Sequence, residues 1–139
     1  MTDHQVLVDQ LIRDEGLRFK PYLDSVGKWT IGVGRNLSDV GISHGEAMIL
    51  LEHDLDEVLT DLAMFPWFVD LDPVRQRVLC NMRFNLGPAR FRGFKRTLRL
   101  VSEGDYVRAA GAMRESVWAT QVKSRATRLI ASMISGIDS

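Results

Sequence analysis

The chain has 139 residues, 45% of them hydrophobic and 26% charged, with a formal net charge of zero. That balance belongs to a globular protein able to bury its own core, and the single cysteine, Cys80, excludes a disulfide framework or a cysteine-rich zinc site. No stretch approaches the roughly 18 apolar residues of a membrane span, and the opening MTDHQVLVDQ lacks the basic and apolar regions of a secretory signal, so synthesis and residence in a cytoplasm are expected until something else releases the chain. The zero charge hides an asymmetry. Residues 1–72 hold 5 basic and 14 acidic side chains, whereas residues 73–139 hold 13 and 4. A basic half suits an anionic polymer, nucleic acid or membrane, or simply an acidic half of the same chain.

Residues 2–15 read as a helix, with Thr2-x-x-Gln5 as a capping box and Leu7, Leu11 and Ile12 on one face; Gly16 stops it. Between residues 17 and 37 the strand formers Phe19, Tyr22, Trp29, Thr30, Ile31 and Val33 are punctuated by Gly27, Gly32 and Gly34, which predicts a small antiparallel sheet or hairpin. Ser43-His44-Gly45-Glu46 is a capping box opening a long helix that runs to about Phe65, ahead of Pro66. Asp72-Pro73 opens the next helix, with Val74, Val78, Met82 and Leu86 inward and Gly87-Pro88 as its stop. Further helices are expected over 94–101, after Asp105, and from a Ser124 cap to Gly136, with Trp118 in a short connector and in the core. The fold class is α+β, a small sheet near the N-terminus followed by a helical lobe.

Chemistry is concentrated near the predicted sheet. Glu15 closes a helix, Asp24 lies in a turn and Thr30 sits in the following strand. Cleaving an acetal needs two carboxyl groups, one to protonate the leaving oxygen and one to handle water or the cation-like centre, and a nearby hydroxyl can hold that water. Phosphate-binding and serine-nucleophile motifs are missing: Gly32-Val33-Gly34 is not followed by Gly-Lys-Ser/Thr, and no Gly-x-Ser-x-Gly occurs. Cys80 falls in an apolar helical pattern and reads as a buried small hydrophobe. No metal or cofactor is called for.

These segments resemble a known family. Arg13-Asp14-Glu15-Gly16-Leu17-Arg18, Tyr22-Leu23-Asp24 and Trp29-Thr30-Ile31-Gly32-Val33-Gly34 look like the signature of the phage-type lysozymes, with eight residues between Glu15 and Asp24 and five between Asp24 and Thr30. Asn81 to Gly87, Gly93-Phe94, Thr97-Leu98, Ser116-Val117-Trp118 and Ser124-Arg125-Ala126 continue the likeness along nearly the whole chain, and it is closest to the T-even phage lysozymes. The resemblance implies a lysozyme-like fold, with a small lobe at about 13–60 joined by the long helix to a helical lobe of 1–12 plus 61–139. It implies an N-acetylmuramidase acting on bacterial peptidoglycan with inversion, without cofactor. In that reading Glu15 is the general acid, Asp24 activates or positions water, and Thr30 holds it. Asn36, Phe84, Thr97 and Arg125 are the substrate-binding candidates: the first three fall at sugar-contacting positions, and Arg125 at that of an arginine that pairs with the catalytic glutamate. An acid active near neutral pH needs a pKa above about 4.3. Arg125 beside Glu15 would lower it, and substrate entry would restore the acid.

Some positions depart from the family pattern. Arg35 replaces the usual histidine, with Asp54 as its expected partner, and the stretch from Leu37 to Asp54 is short, which trims the small lobe. Ala112 stands where a polar sugar contact is usual. The resemblance further implies a monomer without stable membrane insertion or nucleic-acid binding. It would act in the periplasm or cell wall after release from a host bacterial cytoplasm, through a holin-type lesion or with a virion. A lytic transglycosylase is the alternative in which one acid suffices. An inactive wall-binding or assembly protein is the alternative in which Glu15 has no task.

Overall fold

A computed structural model of the protein describes the backbone of residues 2–139 and the side chains of residues 3–139; the expected Thr2–Gln5 capping box lies outside the described residues. The chain divides into two compact units, one ending at Leu50 and the other Leu51–Ser139. Together they hold a small antiparallel sheet and eight α-helices among the described residues, an α+β fold.

The first unit opens with α1 (Thr2–Glu15). Its Leu7, Leu11 and Ile12 do share a face, but all three are exposed. Three strands follow: β1 (Arg18–Leu23), β2 (Trp29–Gly32) and β3 (Arg35–Asn36), in the order β1-β2-β3. Tyr22 faces Thr30 and Leu23 faces Trp29 across β1–β2, and Thr30 faces Asn36 across β2–β3. Pro21, which has no N–H to give a ladder, lies in an edge strand whose register shifts between Arg18 and Tyr22.

The predicted box at the start of α2 (His44–Leu62) is present: Ser43 Oγ accepts from Glu46 N at 3.1 Å, and Glu46 Oε1 accepts from Ser43 N at 2.9 Å. The helix stops at Leu62 rather than near Phe65. Its last turns tighten, with Met64 N donating to Asp61 O and Phe65 N to Leu62 O, before Pro66 disfavours the α conformation of its predecessor.

In the second unit α3 (Pro73–Leu86) begins as predicted, with Asp72 accepting from Arg75 N and Pro73 in the first turn. Gly87, at φ 81°, ends it, but Pro88 does not only stop a helix: it starts the short α4 (Pro88–Arg92), because proline is preorganised for a first turn. Then come α5 (Lys95–Ser102), α6 (Tyr106–Arg114, capped by Asp105), α7 (Val117–Val122) and α8 (Ser124–Ser135). Trp118 lies in α7, not in a connector, because Ser116 accepts from Ala119 N and caps one more short helix. Ser124 is the first residue of α8 and not its cap; Lys123, at φ 42°, holds that place without a side-chain bond.

The core of this unit runs from Val58 and Leu62 through Val78, Leu79, Met82, Phe91, Leu100, Met113 and Trp118 to Met133, with α6 packed on α5 and α8. Trp118 is 2% exposed, as expected of a core residue, and its indole N–H donates to Asn85 Oδ1 at 2.9 Å. Arg75 closes the C-terminal end of α8: it donates to the carbonyls of Met133 (2.7 Å) and Ile134 (2.9 Å) and stacks over Tyr106. Asp61 receives the guanidinium groups of both Arg83 (2.6 Å) and Arg92.

Candidate active site

Asp24 sits just beyond the Leu23–Trp29 pair, where β1 turns towards β2. Its Oδ1 accepts from Val26 N at 2.9 Å and Lys28 N at 2.8 Å, the side-chain turn that aspartate makes readily. Its own backbone N–H donates to the carbonyl of Lys28 at 2.9 Å. The hydroxyl of Thr30 donates to that same carbonyl, also at 2.9 Å. One peptide group thus fixes both residues. Among the described residues no hydrogen bond reaches Asp24 Oδ2, while Thr30 keeps its lone pairs although it is only 4% exposed. This polar, closed turn leaves one carboxylate oxygen and one hydroxyl oxygen able to accept hydrogen bonds from water.

Glu15 is the last residue of α1, and the chain turns away at Gly16 with φ 82°. Its exposed carboxyl end lies against Gly34, in the turn between β2 and β3: a Cβ placed on Gly34 would be 2.7 Å from Glu15 Oε2. Asn36 belongs to the same sheet. Its side chain is engaged locally, donating to Asp39 Oδ2 and accepting from Asp39 N, each at 3.0 Å. The first unit therefore carries Glu15, Asp24, Thr30 and Asn36: Asp24 and Thr30 meet at the Lys28 carbonyl, Thr30 faces Asn36 across β2–β3, and Glu15 lies against Gly34.

Arg35 does not take Asp54 as its partner. It makes a two-pronged pair with Glu46, Nη1 to Oε1 at 2.9 Å and Nη2 to Oε2 at 2.7 Å, and also donates to Gly41 O. Glu46 wins because the capping box already holds its carboxylate at the start of α2. The Arg35 guanidinium, followed by the Ser43 backbone and hydroxyl, lowers the Glu46 carboxyl to about 2.

Of the sugar-contact candidates, the other three lie in the second unit. Phe84 is exposed on α3 and lines a recess of about 280 Å³ with Asp54, Glu57, Val58 and Arg83. Thr97 is buried and lines a groove of about 310 Å³ with Phe94, Ala112 and Ser116. Arg125 Nε donates to Asn81 Oδ1 at 2.8 Å. Cys80 is half-buried among core residues, and burial pushes its thiol up, away from a reactive thiolate. The basic residues of α4 and α5 are largely engaged: Arg92 with Asp61, Arg96 with Glu115, Arg99 with Glu103 and Arg90 with Gln121. Among the described residues no cluster of histidine, cysteine and carboxylates could hold a metal ion, and no helix is long and apolar enough to cross a membrane.

Sequence reasoning missed three participants. Lys28 holds Asp24 and Thr30 through its peptide carbonyl, which no side chain announces, while its ammonium pairs with Asp39 Oδ1 at 3.2 Å. Gly34 is visible as a turn glycine, but not what it approaches. Glu46 is visible as a capping residue, but not as the partner of Arg35.

The family model described as phage lysozyme matches residues 13–130, a span that includes all seven candidates from Glu15 to Arg125. The chain belongs to the phage lysozyme family. Among its relatives, the pre-baseplate central spike protein Gp5 of Enterobacteria phage T4 is 30% identical over 94% of this chain, and the match spans 28% of that protein's length. The probable T4-type lysozyme 2 of Dictyostelium discoideum is 27% identical over 89% of this chain and 91% of its own. The endolysin of Salmonella phage P22 is 32% identical over 76% of each. Relatives of this chain thus include part of a longer pre-baseplate central spike protein and proteins matched over most of their own length.

Proposed function

We propose that this member of the phage lysozyme family cleaves bacterial peptidoglycan as an N-acetylmuramidase, hydrolysing the bond between N-acetylmuramic acid and N-acetylglucosamine with inversion. The observation that carries the reading is the convergence of Asp24 and Thr30 on the Lys28 carbonyl, in the unit that also presents Glu15. A water that donates one hydrogen bond to Asp24 Oδ2 and the other to Thr30 Oγ1 turns its lone pair outward. As that oxygen attacks the anomeric carbon, Asp24 takes up its proton and Glu15 protonates the departing glycosidic oxygen. Water between carboxylate and sugar places the two carboxyl groups on opposite sides of the reacting carbon, which is the inverting arrangement. Asn36, Phe84, Thr97 and Arg125 serve sugar binding in this reading. The protein works as a monomer on the wall, after release from the host cytoplasm or delivery with a virion.

The test is digestion of purified peptidoglycan, with mass spectrometry of the released muropeptides, for wild type, Glu15→Gln and Asp24→Asn. Reducing muramic acid ends from the wild type, falling at least about 100-fold in each variant, are expected if both groups take part in proton transfer. Anhydro ends would instead make the protein a lytic transglycosylase. No release by any folded protein would leave a wall-binding or assembly role.

A further inference from the structure

Within the first unit, no hydrogen bond or ion pair among the described residues holds the Glu15 carboxylate. It ends an exposed side chain with several rotatable bonds, yet a general acid must be presented in one orientation to be useful. Its documented contact is with a residue that has no side chain. A Cβ on Gly34 would stand 2.7 Å from Oε2, 2.9 Å from Cδ and 3.0 Å from Cγ, so the whole carboxyl end of Glu15 occupies the space a side chain would fill. Gly32, two residues earlier, supplies a built-in contrast. It has nearly the same left-handed backbone, φ 68° against 63°, but a Cβ there would meet nothing within 4 Å. Both positions favour glycine for conformational reasons. Only Gly34 also needs its hydrogen to make room for Glu15.

Resting on the reading of Glu15 as the acid, we infer that Gly34 is a positioning residue: its bare Cα is the seat on which the Glu15 carboxyl lies. An alanine there drives Oε2 back by at least 0.7 Å to reach ordinary contact at 3.4 Å. The side chain can swing into solvent, so the misplacement falls on catalysis rather than on folding. Binding, which does not depend on that proton, stays as it was.

The experiment compares Gly34→Ala with Gly32→Ala. Both place alanine at positive φ, so their thermal midpoints should fall together. On soluble glycan strands Gly34→Ala should lose about 100-fold in kcat, whereas KM in that variant and kcat in Gly32→Ala should stay within about threefold of wild type. The carboxyl carbon resonance of Glu15 should move in Gly34→Ala and not in Gly32→Ala. In the wild type, the Glu15 side-chain protons should show nuclear Overhauser contacts to Gly34 Hα. Equal kcat in the two variants with an unmoved Glu15 resonance would overturn the inference, and so would missing Overhauser contacts, even if Gly34→Ala failed to fold. A fully active Glu15→Gln would defeat the acid reading on its own, while the resonance comparison still decided whether Gly34 seats the carboxylate.

Discussion

The second unit buries apolar side chains from Val58 to Met133, whereas up to Leu50 the one side chain buried to that degree, among the described residues, is Thr30, a hydroxyl. The apolar residues of α1 and of the first turns of α2, such as Leu11, Ile49 and Leu50, are about half exposed. The first unit relies instead on hydrogen bonds around Asp24 and Lys28, on glycines at positive φ, and on Arg35–Glu46. A hydrogen bond nets only about 0.5–1.5 kcal/mol, and burying a large apolar side chain about 1.5–3. The polar atoms proposed to do chemistry thus sit on the more weakly braced scaffold, and stability is concentrated where the apolar core is. Functional segments are commonly drawn from the less stable end of a structure.

The largest effect should come from the centre of the apolar core. Phe91 is fully buried and edge-on to Phe65. Phe91→Ala should cost about 3–5 kcal/mol, from lost transfer energy and the cavity left behind. Leu11→Ala, on the exposed face of α1, should cost under about 0.5 kcal/mol. Denaturant unfolding of the two variants checks the contrast, and similar losses would erase it.

Next in size is the charged cluster inside the apolar unit. Asp61 is 13% exposed and neutralises Arg83, itself 9% exposed, as well as Arg92, which is 48% exposed. Asp61→Asn keeps the shape but leaves the Arg83 charge buried without its counter-ion. A loss of about 3 kcal/mol is expected, at the low end for a broken buried pair because Arg92 stays half in water. A second change, Arg83→Met, should recover much of that loss by removing the stranded charge. If Asp61→Asn proves neutral in urea unfolding, the cluster is as weak as a surface pair and the unit is held by apolar contacts alone.

What the sequence disclosed follows the same division. Contacts between near neighbours were legible: the Ser43–Glu46 box, the Asp72 and Asp105 caps, and the apolar stripe of Val78, Met82 and Leu86 all act within a few residues. The candidate residues Glu15, Asp24 and Thr30 were legible as residue types at a spacing. Their setting was not, because it depends on the Lys28 peptide and on the emptiness at Gly34, neither of which a side chain announces. The short α7 escaped because six residues show too little periodicity, although Ser116 supplies its cap. The family pattern points Arg35 to Asp54, whereas the sequence marks Glu46 only as a capping residue and does not show that one carboxylate serves both.

That shared carboxylate gives the smallest effect and the sharpest test of how the first unit is held. The Arg35 guanidinium, then the Ser43 backbone and hydroxyl, keep Glu46 at about 2, below the ordinary value of 4.5. A carboxyl lowered in the folded state binds its proton more readily when unfolded, so its contribution is complete above about pH 4.5 and is lost as pH falls towards 2. Glu46→Gln removes that dependence. Its thermal midpoint should therefore lie below that of the wild type at pH 7, and the two should converge as pH approaches 2. Both partners are about 40% exposed, so the gap at pH 7 should be small and should shrink in high salt. A gap that persisted unchanged to pH 2 would mean that Glu46 supports the unit through capping geometry, which glutamine can partly mimic, and not through its charge on Arg35.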